Sequence, residues 1–325
     1  MESLFDLDEL RRWRAGLNPA ASVALVPTMG ALHEGHLSLI ESVQDRVDYV
    51  VASVFVNPLQ FDDQSDLAAY PREIDQDAKR LVEAGVDALY APSVEDMYPP
   101  GVAPIRVEPP AIANVLEGAY RRGHFSGVAT VVVKLFNRVA PAVAVFGEKD
   151  FQQLKVIEAV VRGLDLPVKI VSAPVVRESS GLAMSSRNVR LKGPDREHAS
   201  LLYAELQRFR MALDQGRSAA DSVTVEDVAA GCRETRDRLM LAGFGVDYVA
   251  VRQARDFASV AQVIDTAGVE VTQSEARDAR RAVALAPTEA SLTDGGDWVI
   301  VAAVRLGGVR LLDALRVAQP DGDRL

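Results

Sequence analysis

Eight consecutive residues, Tyr49-Val50-Val51-Ala52-Ser53-Val54-Phe55-Val56, are almost continuously apolar. A run this uniform has no face to offer to water. It suits a central strand of a parallel sheet, covered on both sides. Such a strand obliges the chain to provide helices for both faces, and the pattern provides them. Val23–Val26, Ala88–Ala91, Val143–Phe146 and Val168–Ser172 read as further strands. Leu37–Asp45, Glu73–Ala84, Val128–Val139 and Phe151–Gly163 carry helical periodicity between them. Alternation of this kind predicts an α/β fold with a doubly wound parallel sheet.

The second part of the chain reads differently. Pro194–Leu213 and Thr224–Ala242 predict helices, and Val246–Val251, Trp298–Val304 and Val309–Val317 predict short strands. A smaller α+β domain is therefore expected to begin near Arg177. Between Arg252 and Asp297 the chain is rich in Ala, Asp and Arg, with weak periodicity. Within it, Glu270–Ala284 could form a helix and Thr293–Asp297 a surface turn. With no motif, histidine or cysteine in it, replacing Ala254–Asp294 by a short linker is expected to leave a folded, active protein.

Composition narrows the function classes. The chain has 325 residues, enough for two domains, and 48% hydrophobic content, enough for full cores. A formal net charge of −10 argues against a nucleic-acid partner. No apolar stretch is long enough to span a membrane, and the start, Met1-Glu2-Ser3-Leu4-Phe5-Asp6, lacks a signal pattern. A single cysteine, Cys232, fits a reducing cytoplasm.

Two of the four histidines fall together in Val26-Pro27-Thr28-Met29-Gly30-Ala31-Leu32-His33-Glu34-Gly35-His36. This reads as strand, tight turn, helix. His33 and His36 then share a face of the first helical turn. The helix start is expected to offer free N–H groups and a positive dipole end to an anion, with Gly30 and Gly35 leaving room for the ligand. Two such histidines could also share an ion, although no third ligand lies at suitable spacing. Neither the Walker loop nor G-x-G-x-x-G is present.

Ligands of open α/β sheets sit beyond the carboxyl ends of the strands. The residues that follow each strand are therefore informative: Asn57 and Gln60 after the second, Gly147-Glu148-Lys149-Asp150 and Gln153 after the fourth, Val176 and then Met184-Ser185-Ser186-Arg187 after the fifth. Lys149 is one of only six lysines among 36 basic residues, and its compact ammonium suits phosphate oxygens. Asp150 could accept from ribose hydroxyls or cap the following helix. Asn57 could simply end its strand. Gln60 and Gln153 are neutral, which suits an organic acid.

Six ordered blocks, Pro27–His36, Phe55–Phe61, Tyr70–Arg72, Gly123–Val128, Phe146–Leu154 and Arg177–Asn188, closely resemble the pantothenate synthetase (pantoate–β-alanine ligase) family. Val304–Gly307 and Arg310–Asp313 resemble the close of that family. The resemblance implies a Rossmann-like domain over 1–176 and a smaller α+β lid over 177–325. It implies a cytidylyltransferase-like nucleotide fold, dependence on ATP and Mg²⁺, a homodimer, and a two-step ligation through pantoyl adenylate. Carried onto matching positions, Met29, Gly30, Ala31, Leu32, His33, Glu34, Gly35 and His36 would line the ATP site, with His36 as proton donor. Gly147, Glu148, Lys149 and Asp150 would hold ribose and phosphates, and Val176 the adenine. Met184, Ser185, Ser186 and Arg187 would close over the phosphates. His33, His36, Lys149 and Arg187 would act on the charge that develops. Gln60 and Gln153, with Asn57 nearby, would serve pantoate and β-alanine. Asp77 falls where some members have an acidic residue linked to magnesium. Relative to the family, about 253–297 reads as an insertion. A nucleotidyltransferase and a silent nucleotide-binding regulator are the other readings. The neutral glutamine pair speaks against the first. The presence of His36, Lys149 and Arg187 speaks against the second.

Overall fold

A computed structural model describes residues 1–102, 105–218, 223–264 and 296–317. Two sheets organise it. Glu2–Leu4 (β1), Val23–Thr28 (β2), Tyr49–Val54 (β3), Ala88–Tyr90 (β4), Val143–Gly147 (β5) and Lys169–Ala173 (β6) form one. Their order is β1-β4-β3-β2-β5-β6, with parallel pairing throughout. The order reverses beside β2, and at such a switch point the crevice between diverging loops takes ligands. β3 is central, as its apolar run requires. Its Val51, Ala52 and Ser53 are wholly buried.

Eleven α-helices are described. Leu7–Gly16 (α1), Glu34–Gln44 (α2), Gln64–Ala68 (α3), Ile74–Glu83 (α4), Val94–Met97 (α5), Glu117–Tyr120 (α6), His124–Val139 (α7) and Phe151–Gly163 (α8) accompany the parallel sheet. The sheet is covered on both faces by separate apolar clusters. One joins β2, β3 and β5 to α1, α7 and α8 through Leu25, Val51, Leu135 and Leu154. The other joins the opposite faces to α2 and α4 through Val26, Ile40, Ala52 and Leu81.

The C-terminal unit contains Pro194–His198 (α9), Leu201–Ser218 (α10) and Val225–Leu241 (α11). Its sheet is antiparallel: Gly245–Gln253 (β7), Ser259–Ile264 (β8), Trp298–Leu306 (β9) and Val309–Val317 (β10), in the order β10-β9-β7-β8. α10 and α11 pack on one face through Leu206, Phe209, Val228 and Leu239. The other face turns toward the parallel-sheet unit, where Tyr248, Val299 and Val301 meet Leu116 and Phe151.

Several expectations change. β1 and α1 are additional, because three residues of strand and a mostly polar helix carry little periodic signal. α7 starts at His124, four residues earlier than its apolar stripe suggests. The expected helix Pro194–Leu213 is interrupted between α9 and α10. The segment from Arg252 is not wholly a surface connection. β8 pairs with β7 from Tyr248 to Arg252, Val260 is wholly buried, and Phe257 stacks on Phe151 with centroids 6.3 Å apart. One apolar strand flanked by polar turns was too short to stand out from its surroundings. Glu270–Ala284 lies outside the described residues. No described helix is long and apolar enough to cross a membrane.

Candidate active site

The turn after β2 is closed upon itself. Asp77, on α4 and only 2% exposed, accepts from the N–H of Ala31 at 2.9 Å and of Leu32 at 2.8 Å. Gly30 donates to Thr28 Oγ1 at 3.2 Å, and that hydroxyl donates to Ser53 O on β3. Gly30 and Ala31 both take positive φ, 82° and 51°. The left-handed conformation costs a non-glycine residue about 1–2 kcal/mol, and the Asp77 bond to the Ala31 amide offsets that cost.

His33 is the N-cap of α2. Its Nδ1 accepts from Gly35 N–H at 3.1 Å, and His36 Nδ1 reaches back to His33 N–H at 3.3 Å, an imidazole version of the capping box. The N–H groups of Gly30, Ala31, Leu32, His33 and Gly35 are thus already engaged by Thr28, Asp77, His33 and His36. What the turn presents is imidazole. With both Nδ1 atoms accepting, each neutral ring carries its hydrogen on Nε2. Burial, then Lys149, lowers His33 to about 4. Burial, then His33, drives His36 well below the ordinary histidine range. The rings lie 4.0 Å apart and both line the cavity at the strand ends.

The two glycines also sit tightly against protein side chains. A Cβ on Gly30 would meet Asp77 Oδ2 at 2.8 Å, and one on Gly35 would meet His33 Cε1 at 2.9 Å. Gly35 lines the cavity as well. Asp77 is not placed as a magnesium ligand. Both its oxygens hold the turn, and no group of three His, Cys, Asp or Glu among the described residues could hold an ion. The donor set does not fit a protein-built metal site.

Around the cavity the structure gathers Met29, His33, Gly35 and His36 from the turn, and Gly147, Lys149, Asp150 and Gln153 from the end of β5. Gln60 joins them, with Val176 and Met184–Arg187 from the strap after β6. Gly30, Ala31, Leu32, Glu34, Asn57, Asp77 and Glu148 do not line it. Leu32 is in the core and Glu34 pairs with Arg80 at the surface. Asn57 is buried behind Gln60. It donates to Gln60 Oε1 at 3.0 Å and to Gly127 O at 3.1 Å, and accepts from Tyr98. Gln60 Nε2 donates to Met29 Sδ at 3.0 Å. Asp150 makes no side-chain cap to α8. Its carboxylate lies 2.9 Å from Lys149 Nζ.

The strap opposite is held from across the cavity. Asp66 on α3 accepts from Arg187 at 2.9 Å and from Arg190 at 2.7 Å, and Tyr70 and Ser186 share a hydroxyl contact at 3.1 Å. Asn188, buried, ties the base of the strap to Glu178 and Ala183 O. Val176 O accepts from Met184 N–H.

Sequence reasoning left out one wall. Glu117 and Arg121 of the α6 segment, His124 at the start of α7, and Tyr248, Phe257 and Asp313 of the C-terminal unit also line the cavity. His124 Nδ1 and Arg121 Nη2 both approach the carbonyl oxygen of Gln60, at 2.8 and 3.0 Å. Burial, then Arg121, lowers His124 to about 4. Burial alone would raise the Glu117 carboxyl, but Arg310 and Arg121 outweigh it and hold it down to about 2. The charged pair Glu117 and Arg121, four residues apart beside the Gly123–Val128 block, was the available signal.

The chain is similar from end to end to known proteins. The family described as Pantoate-beta-alanine ligase matches residues 3–316. A pantothenate synthetase of Idiomarina loihiensis is 41% identical over 318 residues, 98% of each chain. The crystal structure of pantothenate synthetase from Thermus thermophilus superposes with a TM-score of 0.78 at 39% identity, covering 98% of this chain and 99% of that one. A pantoate-beta-alanine ligase from Francisella tularensis, described as complexed with beta-gamma ATP and beta-alanine, gives 0.71 at 31% identity over 97% of each chain. With a sheet that reverses beside β2, a paired imidazole turn facing Lys149, and relatives matched from end to end, the chain belongs to the pantoate–β-alanine ligase family, enzymes that join pantoate to β-alanine with ATP.

Proposed function

We propose that the cavity performs this ligation in two steps with the residues in the following roles. A pantoate carboxylate oxygen attacks the α-phosphorus of ATP. The bond to pyrophosphate breaks, leaving pantoyl adenylate. The β-alanine amine then attacks the acyl carbon, the bond to AMP breaks, and the amine gives up a proton. Neither step needs a covalent bond to the protein. The barrier lies in bringing anions together and in the charge that grows on departing pyrophosphate, so positioning and fixed donors suffice.

His33 and His36 serve as neutral Nε2–H donors to phosphate oxygens. Their depressed basicity narrows the implied proton-donor role of His36 to hydrogen-bond donation. Lys149 and Arg187 contribute full charges, exchanging their partners Asp150 and Asp66 for phosphate. Gln60 and Gln153 take the pantoate carboxylate and hydroxyls without adding negative charge. Magnesium, which the resemblance implies, would arrive on the nucleotide's phosphates, since Asp77 is committed to the turn. The reading divides the chain at 176/177 into a nucleotide-binding domain and a lid, and extends to a cytoplasmic homodimer with no nucleic-acid partner.

The observation that carries the reading is the paired imidazole cap opposite Lys149 in one cavity with Gln60 and Gln153. The test is AMP and pyrophosphate formation with ATP, D-pantoate and β-alanine, each omitted in turn. Pyrophosphate release should require pantoate but not β-alanine, while release of free AMP should require all three. AMP release independent of pantoate would overturn the assignment. Light scattering of the purified protein checks the dimer.

A further inference from the structure

β10 ends the described chain, yet its charged side chains reach the parallel-sheet unit. Arg310 is the deepest. Its Nη1 donates to both oxygens of Glu117, at 2.6 and 2.7 Å, and its Nε donates to Asp247 at 2.7 Å. Arg310 is 15% exposed at its side chain and Glu117 7%. Glu117 Oε1 also accepts from Arg121 Nη1 at 3.3 Å, and Tyr248 donates to Oε2 at 3.3 Å. Arg121 in turn donates to Gln60 O at 3.0 Å and to Asp62 at 2.9 Å. Its Nη1 also faces His124 Nε2 at 3.3 Å, so the neutral ring accepts there and donates from Nδ1 to the same Gln60 carbonyl. An unbroken polar chain thus runs from the last strand, through Glu117 and Arg121, to the backbone of Gln60.

Arg121 is shared among four acceptors, and Arg310 decides how. With Arg310 in place, Glu117 has its charge matched, and Arg121 needs to give it only one long contact. Without Arg310, a buried carboxylate would draw Arg121 inward, away from Gln60 O, because an uncompensated charge in a buried site is strongly unfavourable. We propose that Arg310 is a positioning residue for the acid substrate, acting through Glu117 and Arg121 to set Gln60. This rests on the reading that Gln60 holds pantoate. It makes the final strand part of the substrate site, although Arg310 does not itself line the cavity.

The test is steady-state kinetics of Arg310→Met, Gln60→Ala and their double variant, each confirmed folded by circular dichroism and by a melting temperature above the assay temperature. Arg310→Met should raise the KM for pantoate roughly tenfold, the scale for a misplaced polar partner, and leave the KM for ATP within about twofold. In the double variant the pantoate KM should not exceed that of Gln60→Ala, because residues acting in series do not add. Additive effects, or equal rises for ATP and pantoate, would overturn the proposal and leave Arg310 a stabilising contact. If Gln60→Ala itself leaves the pantoate KM unchanged, the pantoate reading of the site falls and takes the proposal with it. If Gln60→Ala raises it while folded Arg310→Met does not, only the proposal falls. Should Arg310→Met not fold, Arg310→Gln keeps a hydrogen-bond donor beside Glu117 but removes the charge. It should show the same pantoate-selective rise, smaller in size, and no rise would count against the proposal.

Discussion

The two sides of the cavity are built on opposite principles. On one side, the turn from Thr28 to His36 is held by its own Thr28, His33 and His36 and by the buried Asp77 of α4. On the other, the strap from Met184 to Arg187 is pinned by a part-exposed ion pair to Asp66 and a hydroxyl contact to Tyr70. A turn whose amides are held by a buried carboxylate and its own side chains keeps its geometry whatever is bound, so its imidazoles are preorganised. A strap held by ion pairs can exchange a carboxylate for a phosphate at little net cost, because one charge-assisted contact replaces another. Fixed donors face movable cations.

The most damaging way to break the comparison is to unfasten the turn. Asp77→Ala removes two acceptors from buried amides and leaves Ala31 strained, so the imidazole pair should lose its register. We expect pantoate-dependent pyrophosphate release to fall by ~10²–10³, as for a lost oxyanion donor, with a stability loss of about 1–3 kcal/mol per orphaned group. His36→Ala should cost a similar factor in turnover with a smaller stability loss, since it orphans one amide, that of His33, and not two. An Asp77→Ala enzyme of near-normal rate would show that the turn does not need its clamp.

Next in size is Arg187→Ala, expected to slow adenylation and raise the KM for ATP about tenfold. Its counterpart, Asp66→Asn, sharpens the comparison. It should speed hydrogen exchange across 184–190 in the free protein, with the difference disappearing when ATP is bound. Exchange in that segment unaffected by Asp66→Asn would mean that the ion pairs do not hold the strap.

Acid should then distinguish the buried histidines from ordinary ones. His33 and His124, each lowered to about 4, are neutral in the folded protein, whereas unfolded histidine takes a proton near 6.5. The unfolded chain therefore binds more protons below that value. Their contribution to stability is complete above 6.5 and is lost as pH falls from 6.5 toward 4. Melting temperatures should decline over that window, and His124→Asn should flatten the decline if it folds.

The smallest effect expected is from Arg316→Met. Arg316 holds Glu148 through two contacts, at 2.6 and 2.9 Å, but is 44% exposed. Partly solvated pairs contribute little, so we expect a two- to threefold rise in the KM for ATP and an unchanged melting temperature.

These contrasts also explain what the sequence made legible. The parallel sheet was readable because strands buried on both faces leave apolar runs such as Tyr49–Phe55, and the ligand edge followed from what comes after each strand. The identities of His33, His36, Lys149 and Arg187 were readable for the same reason. What those side chains do to one another was not. That Asp77 would occupy the turn's amides depends on α4 packing beside β2, a contact between residues far apart in the chain. The Glu117–Arg310 pair links positions 193 residues apart, and no local pattern announces it. β8 was hidden because a six-residue strand at a sheet edge carries little periodicity of its own.

The placement of β10 has a consequence for how the protein is made. The parallel sheet has all its strands once Ala173 has been synthesised, and its two apolar clusters need nothing from the C-terminal unit. Glu117, Glu148 and Arg177, however, find Arg310, Arg316 and Asp313 only when the final strand emerges. During translation the parallel-sheet half can fold early while the wall around Glu117 stays unfinished. A chain interrupted before β10 would carry the imidazole pair and Lys149 but lack the Asp313 carboxylate and the Arg310 and Arg316 guanidiniums that pair with Arg177, Glu117 and Glu148. The cavity's polar wall therefore closes only after β10 has joined the antiparallel sheet.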